Sequence, residues 1–239
     1  MNSTSIGHHI SEQFNKELED IRNHVLTMGG MVEEHIENAI KAFTSADVEL
    51  AEQVIKQDNQ IDALEIALDR ECMQILALRQ PTAFDLRLLI SMLKSINELE
   101  RVGDLAEVIA KMAIVTSEVE GHPHAPYYEM QHMADLVKGM LHDALDAFAR
   151  MSLDEVPAIT ARDELVDREY ASIIRQQVTY MMEDPRNVKR TLNVLWTVRS
   201  LERIGDHACN ICEHLVYMIK GEDVRHTSHA ELEKKVKGE

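Results

Sequence analysis

The residues in this chain whose types and spacing could do chemistry are acidic. Glu202-Arg203-Ile204-Gly205-Asp206 has a near twin in Glu100-Arg101-Val102-Gly103-Asp104, and two further pairs, Asp58 with Asp62 and Asp163 with Asp167, share the same i, i+4 spacing. Residues four apart lie on one face of a helix, so each pair presents two carboxylates side by side. These pairs sit in an otherwise apolar helical pattern, where negative charge is costly unless something positive compensates it. A single pair is most simply a solvated helix face. Four pairs, placed alike in a repeated pattern, point instead to cation binding.

Oxygen donors of this kind suit hard ions such as Mg²⁺, Mn²⁺, Ca²⁺ or iron. The expectation is one metal site or cluster per half of the chain, built from Asp58, Asp62, Glu100 and Asp104 in the first and Asp163, Asp167, Glu202 and Asp206 in the second. The competing explanation is salt bridging, since Arg101 and Arg203 adjoin the motif glutamates and Arg87 and Arg190 lie upstream. Cys209-Asn210-Ile211-Cys212 is a single CxxC with no counterpart in the first half. A zinc site there needs two more soft or imidazole ligands, His207 and His214 being nearest, so small packing residues are the simpler reading. A diiron bundle calls for Glu-x-x-His on two helices, and only Glu129-Met130-Gln131-His132 fits. There is no phosphate-binding glycine loop and no nucleophile with an assigned base.

The elements that position these acids are helices. Few glycines, prolines and aromatics stand against many Leu, Ile, Ala, Met, Glu and Lys in a chain that is 45% hydrophobic, which favours helix over strand. From Phe14 the apolar residues Leu18, Ile21, Val25, Met28, Val32, Ile36, Ala39 and Phe43 mark one long amphipathic helix, with Gly29-Gly30 a place where it can bend. Thr44-Ser45-Ala46-Asp47 has the form of a capping box before a second helix with its seam at Val54, Ile61, Leu68 and Ile75. Gln80-Pro81 ends it, and Thr82-Ala83-Phe84-Asp85 caps a third helix running to about Met112. In that helix the series Leu86, Leu93 continues as Glu100, Glu107, and the series Leu89, Ile96 continues as Gly103, Ala110. The seam turns acidic just where its neighbours shrink.

Gly121-His122-Pro123-His124-Ala125-Pro126 interrupts the pattern and marks the boundary between halves. Met28, Val32, Ile36, Ala39 and Phe43 then recur 105 residues later as Met133, Val137, Leu141, Ala144 and Phe148, and the Glu-Arg-x-Gly-Asp segment recurs 102 residues later. Ser152-Leu153-Asp154-Glu155 caps the fifth helix, and Asp184-Pro185 starts the sixth. The expected fold is all-α: two tandem antiparallel three-helix bundles related by internal duplication, over residues 1–120 and 121–220, followed by a polar tail over 221–239.

A net charge of −17 argues against nucleic acid and anionic membrane surfaces as partners. No segment reaches the ~20 apolar residues of a membrane span. The opening MNSTSIGHHI lacks the pattern of a signal peptide, and three cysteines form no disulfide framework. The expected location is the cytosol.

The duplicated Glu-Arg-x-Gly-Asp segments, the Asp-x-x-x-Asp pairs on the preceding helices, and the Leu78-Arg79-Gln80-Pro81 and Asp85-Leu86-Arg87 run together resemble the PhoU family of phosphate-signalling regulators, over roughly residues 14–220. That resemblance implies a cytoplasmic, commonly dimeric protein without catalytic residues that represses the phosphate-starvation response. It implies partnership with a phosphate-specific ABC transporter at the inner membrane and with the sensor histidine kinase of the phosphate regulon. It also implies multinuclear metal clusters on the E(D)xxxD motif, with Mg, Mn, Fe or Zn as candidate ions. In the second half the motif extends to Asn210 and Glu213, which the first half matches with Val108 and Lys111, making the second site the more complete. The rival readings are a carboxylate-metal enzyme, an oxidase or phosphoesterase, and a non-catalytic helical scaffold.

Overall fold

A computed structural model describes residues 12–119, 127–225, 227 and 229–237. Among the described residues there are seven α-helices and no strand: α1 (Glu12–Ser45), α2 (Val48–Arg79), α3 (Ala83–Ser117), α4 (Tyr128–Arg150), α5 (Val156–Glu183), α6 (Val188–Lys220) and α7 (His229–Lys237). Helices α1, α2 and α3 pack on one another, as do α4, α5 and α6. Two three-helix bundles result, as the periodicity predicts. The expected boundary at residues 121–126 lies outside the described residues.

The heptad seams fill the two cores. Val54, Ile61 and Leu68 of α2 are buried against Leu89, Met92 and Ile96 of α3 and Met28, Val32 and Ile36 of α1. α1 runs through Gly29-Gly30 unbroken. Gly29 serves close packing instead: a Cβ there would stand 2.8 Å from the Leu145 side chain on α4. The third helix extends past Met112 to Ser117, since its apolar pattern continues through buried Ala113.

The caps differ from expectation in detail. Thr44 belongs to the end of α1 and donates its hydroxyl back to the Ile40 carbonyl (2.9 Å), while Asp47 caps α2 by accepting from the Leu50 amide (2.9 Å). The acid of the anticipated box is itself the cap, because a hydroxyl inside a helix turns to its own backbone. Thr82 and Glu155 occupy N-cap positions without a side-chain capping bond. Asp184 caps a short 3₁₀ turn, Pro185–Asn187, before α6 begins. The tail is more ordered than its polarity implied, since α7 packs on α5 and buries Leu232.

The halves meet face to face, chiefly through α3 and α6 and less extensively through α1 and α4. Both pairs are antiparallel. Glu33 meets His142 and Glu37 meets Lys138 across α1 and α4, while Arg87 donates to the Met218 carbonyl (3.4 Å) and Lys94 stands 5.4 Å from the Tyr217 ring across α3 and α6. The centre of the α3–α6 contact is polar. Glu98 of α3 lies 2.6 Å from His207 Nδ1 and 3.5 Å from His214 Nε2, and accepts from Asn210 Nδ2 at 3.1 Å. Burial pushes the Glu98 carboxyl up, but the hydrogen bonds from these three side chains outweigh it and hold the group well below the usual carboxylate range. Its repeat counterpart is Ser200, which faces no such set.

A group held below its unfolded pKa contributes stability above that value and loses it as pH falls. Glu98→Ala leaves two buried imidazoles and an amide without their acceptor, and is expected to cost roughly 2–4 kcal/mol at pH 7. Ser200→Ala is expected to cost under about 1 kcal/mol. Denaturant melts at pH 7 check this: equal penalties for Glu98→Ala and Ser200→Ala would contradict the account.

Candidate metal grooves

Each bundle places the acidic ends of two helix seams against each other. In the first, α2 carries Asp58 and Asp62 and α3 returns antiparallel with Glu100 and Asp104, so the two pairs line one groove. One oxygen from each of Asp58, Asp62 and Asp104 can be chosen so that all three lie within 4.8 Å of one another. Gly103 is what allows the approach, because a Cβ there would stand 3.1 Å from Asp58 Oδ1 and 3.3 Å from Ile61. The second groove, between α5 and α6, repeats the design with more room: a Cβ on Gly205 would be 3.6 Å from Asp163 Oδ1 and 3.7 Å from Val166.

The electrostatics carry the signature of unneutralised acids. Burial, then Asp58, then Glu107 push Asp62 up from the usual aspartate range. Glu65, Glu100 and Asp104 are raised too, in each case by burial first and neighbouring carboxylates next. In the second groove, burial and then Asp206, Asp167 and Glu202 push Asp163 up to about 6. Burial likewise raises Glu202 and Asp206. Asp58 Oδ1 and Glu202 Oε2 are buried with no hydrogen-bond partner. Carboxylates raised in this way gain from a bound cation.

Positive side chains offset these acids in part: Arg101 lowers Glu100, and Arg199 and Arg203 lower Glu202 and Asp206, less than burial raises them. Arg87 stands at the Met218 carbonyl and Phe84 ring, and Arg190 donates to the Tyr127 hydroxyl. Arg101 and Arg203 form no ion pair within 4.0 Å among the described residues. Two different cations reach the grooves: Arg199 pairs with Glu202 (3.2 Å) and Lys111 with Glu107.

Of the outlying members of the expected set, Asn210 turns away from the groove. Asn210 turns its amide to Glu98 in the α3–α6 interface, and Glu213 lies near enough to Arg225 for mutual electrostatic influence. The CxxC is a packing feature: Cys212 is fully buried, its thiol pushed up to about 12 by burial, and burial raises Cys209 as well. Glu129 and His132 bind Gln176 and Glu169 on the α4–α5 surface, without forming a carboxylate–imidazole centre. Sequence reasoning missed His35 of α1, which is buried with Nε2 only 3.4 Å from Asp58 Oδ1. Its signal was a histidine beside Ile36 in core phase.

No described helix is long and apolar enough to cross a membrane. A family model described as the PhoU domain matches the chain twice, at residues 25–113 and 130–215. The phosphate-specific transport system accessory protein PhoU homolog of Pseudomonas putida is 50% identical over 238 residues, covering 100% of this chain and 93% of the relative. The phosphate-specific transport system accessory protein PhoU of Escherichia coli K12 is 46% identical over 239 residues, covering 100% of this chain and 98% of the relative. The crystal structure of PhoU from Pseudomonas aeruginosa has a TM-score of 0.84 at 50% identity, covering 88% of this chain and 100% of the other. That of the phosphate transport system regulatory protein PhoU from Streptococcus pneumoniae has a TM-score of 0.81 at 32% identity, covering 89% and 99%. With both bundles matched, each carrying its acidic groove, the chain belongs to the PhoU family.

Proposed function

We propose that this chain is a non-catalytic regulator accessory to phosphate transport, which represses the phosphate-starvation response when phosphate is plentiful. It acts in the cytoplasm as a homodimeric adaptor, recruited to the inner membrane face by a phosphate-specific ABC transporter and holding the sensor histidine kinase in its repressing state. The observation that carries the reading is the near-complete coverage, at 46–50% identity, of relatives named as phosphate-specific transport accessory proteins. A docking role also fits α6, where Val188, Leu192 and Trp196 recur every fourth residue with exposed side chains, on the helix that carries Glu202 and Asp206.

Metal ions in the two grooves form part of the proposal. The residues fit them: hard oxygen donors converge in the first groove, and burial, followed by repulsion between neighbours, has raised carboxyls in both. Asp58, Asp62, Glu100 and Asp104 would hold ions in the first groove, and Asp163, Asp167, Glu202 and Asp206 in the second. A bound cation would supply the positive charge that offsets the cost of ionised carboxylates in a part-buried groove. The chain supplies spacing and burial, so occupancy stiffens each groove and shapes the surface that partners meet. Differential affinity for partner states then provides the switch.

Two experiments check this reading. Deleting the gene is expected to leave a phosphate-starvation reporter on in high phosphate, and unchanged reporter expression would reject the regulator. Complementation with folded Glu202→Ala/Asp206→Ala protein is expected to fail to repress and to lose co-purification with transporter and kinase.

A third experiment concerns pH. Asp163 is raised from its ordinary value to about 6, so its contribution to stability is full below the usual aspartate range and lost as pH rises through about 6. Allowing for partial solvent screening, Asp163→Asn should stabilise metal-free protein by about 1–2 kcal/mol at pH 7.5 and by almost nothing at pH 4. Added divalent metal should reverse that order at pH 7.5, because only the parent keeps the ligand. Melts in chelator and in Mn²⁺ read both effects; a pH-independent difference would refute the assignment.

A further inference from the structure

The two grooves share an acidic skeleton, yet the helix behind each differs. His35 of α1 is 3% exposed and stands 3.4 Å from Asp58 Oδ1, itself on a residue 7% exposed. Neither His35 Nε2 nor Asp58 Oδ1 has a hydrogen-bond partner. A carboxylate oxygen only accepts, and an unprotonated imidazole nitrogen facing it would set two lone pairs against each other in a buried site. Nε2 therefore carries the hydrogen. At 3.4 Å the two atoms are within reach, and alignment of the side chains, not distance, is what a full hydrogen bond lacks. At the equivalent position 105 residues on, the second half has Met140, whose Cε lies 3.8 Å from where a Gly205 Cβ would be. A thioether gives Asp163 no such donor.

The consequence for a ligating carboxylate is direct. Asp58 has one oxygen sealed in the core, between His35 and the space left by Gly103. The remaining oxygen is the one available to an ion shared with Asp62 and Asp104. A donor on the inner oxygen fixes the carboxylate's rotation before the ion arrives, as hydrogen bonds to ligating carboxylates do. Without it, the side chain must be ordered on binding, at a cost in affinity.

We propose that His35 is a positioning residue of the first groove: its Nε2–H holds the inner oxygen of Asp58, presents the outer oxygen to a divalent cation shared with Asp62 and Asp104, and makes this the tighter groove. This rests on the reading that the grooves bind metal. It reverses the ranking that the longer motif around Asn210 and Glu213 implies, because Asn210 is engaged with Glu98 and the second groove has no equivalent of His35.

The test uses full-length chain carrying Glu202→Ala/Asp206→Ala, so that binding reports the first groove, with Mn²⁺ as probe and the free-ion electron paramagnetic resonance signal as readout. His35→Met, which installs the residue the second half already accommodates, is expected to raise Kd about 10- to 100-fold. His35→Gln, whose amide can donate to the same oxygen, is expected to recover most of that loss. In chains with the first groove silenced by Glu100→Ala/Asp104→Ala, His35→Met should leave the remaining Mn²⁺ affinity unchanged. Equal affinity of His35→Met and its parent overturns the inference alone. So does a His35→Gln protein that melts like its parent yet binds as weakly as His35→Met. A parent chain that takes up no Mn²⁺ in either groove overturns the metal reading and this inference with it.

Discussion

The structure depends on carboxylates gathered at the margin of each bundle's core. Along α3 the series that begins with part-exposed Leu86 and Leu93 arrives at Glu100, and on α6 the series from Val188 and Leu195 arrives at Glu202. Like charges resist burial, and the core residue beside them shrinks to glycine where the helices come close: a Cβ on Gly103 would stand 3.1 Å from Asp58 Oδ1. The apolar layers on either side hold the helices in place while this happens. Burial first and neighbouring carboxylates next raise the carboxyls in both grooves. A bundle stabilised for its own sake would have kept leucine there, so the acids serve something outside the core.

Much of this was legible in the sequence because it is written in periods. Heptad seams fix which faces are buried, and the antiparallel return of α3 on α2 then follows from a short turn. That geometry alone brings Asp58 and Asp62 opposite Glu100 and Asp104. What the pattern could not give was the rotation of single side chains. Asn210 and Asp206 are four apart on one helix, yet the amide of Asn210 reaches Glu98 in the other bundle while Asp206 faces Asp163. The arginines behave likewise: adjacency put Arg101 and Arg203 beside the acids, whereas the helical turn delivers Arg199 to Glu202. Capping was misassigned at Thr44 for the same reason, since a hydroxyl can bond forward or back and only the fold decides.

Duplication supplies the skeleton, and departures from it supply the difference between halves. Glu98 and Ser200 occupy equivalent places, but only Glu98 meets two imidazoles and an amide, so the α3–α6 contact has one polar anchor on a pseudo-symmetric interface. Such an anchor fixes the register of two long helices that apolar contact alone leaves free to slide. His35 and Met140 form a second unequal pair, and Glu107 and Cys209 a third. In each case the first half, or the α3 side of the interface, carries the ionisable group.

These asymmetries are connected through α6. His207, which binds Glu98, follows Asp206 of the second groove in sequence, so any adjustment of Asp206 moves through one peptide unit to the contact between bundles. Asp206 in turn feels His207 directly, the imidazole opposing the upward push of burial on the aspartate. In the first bundle, Glu98 and Glu100 are two residues apart on α3, one facing the other bundle and one facing the groove. Both grooves thus abut the same polar contact, Glu98 on one side and His207 on the other.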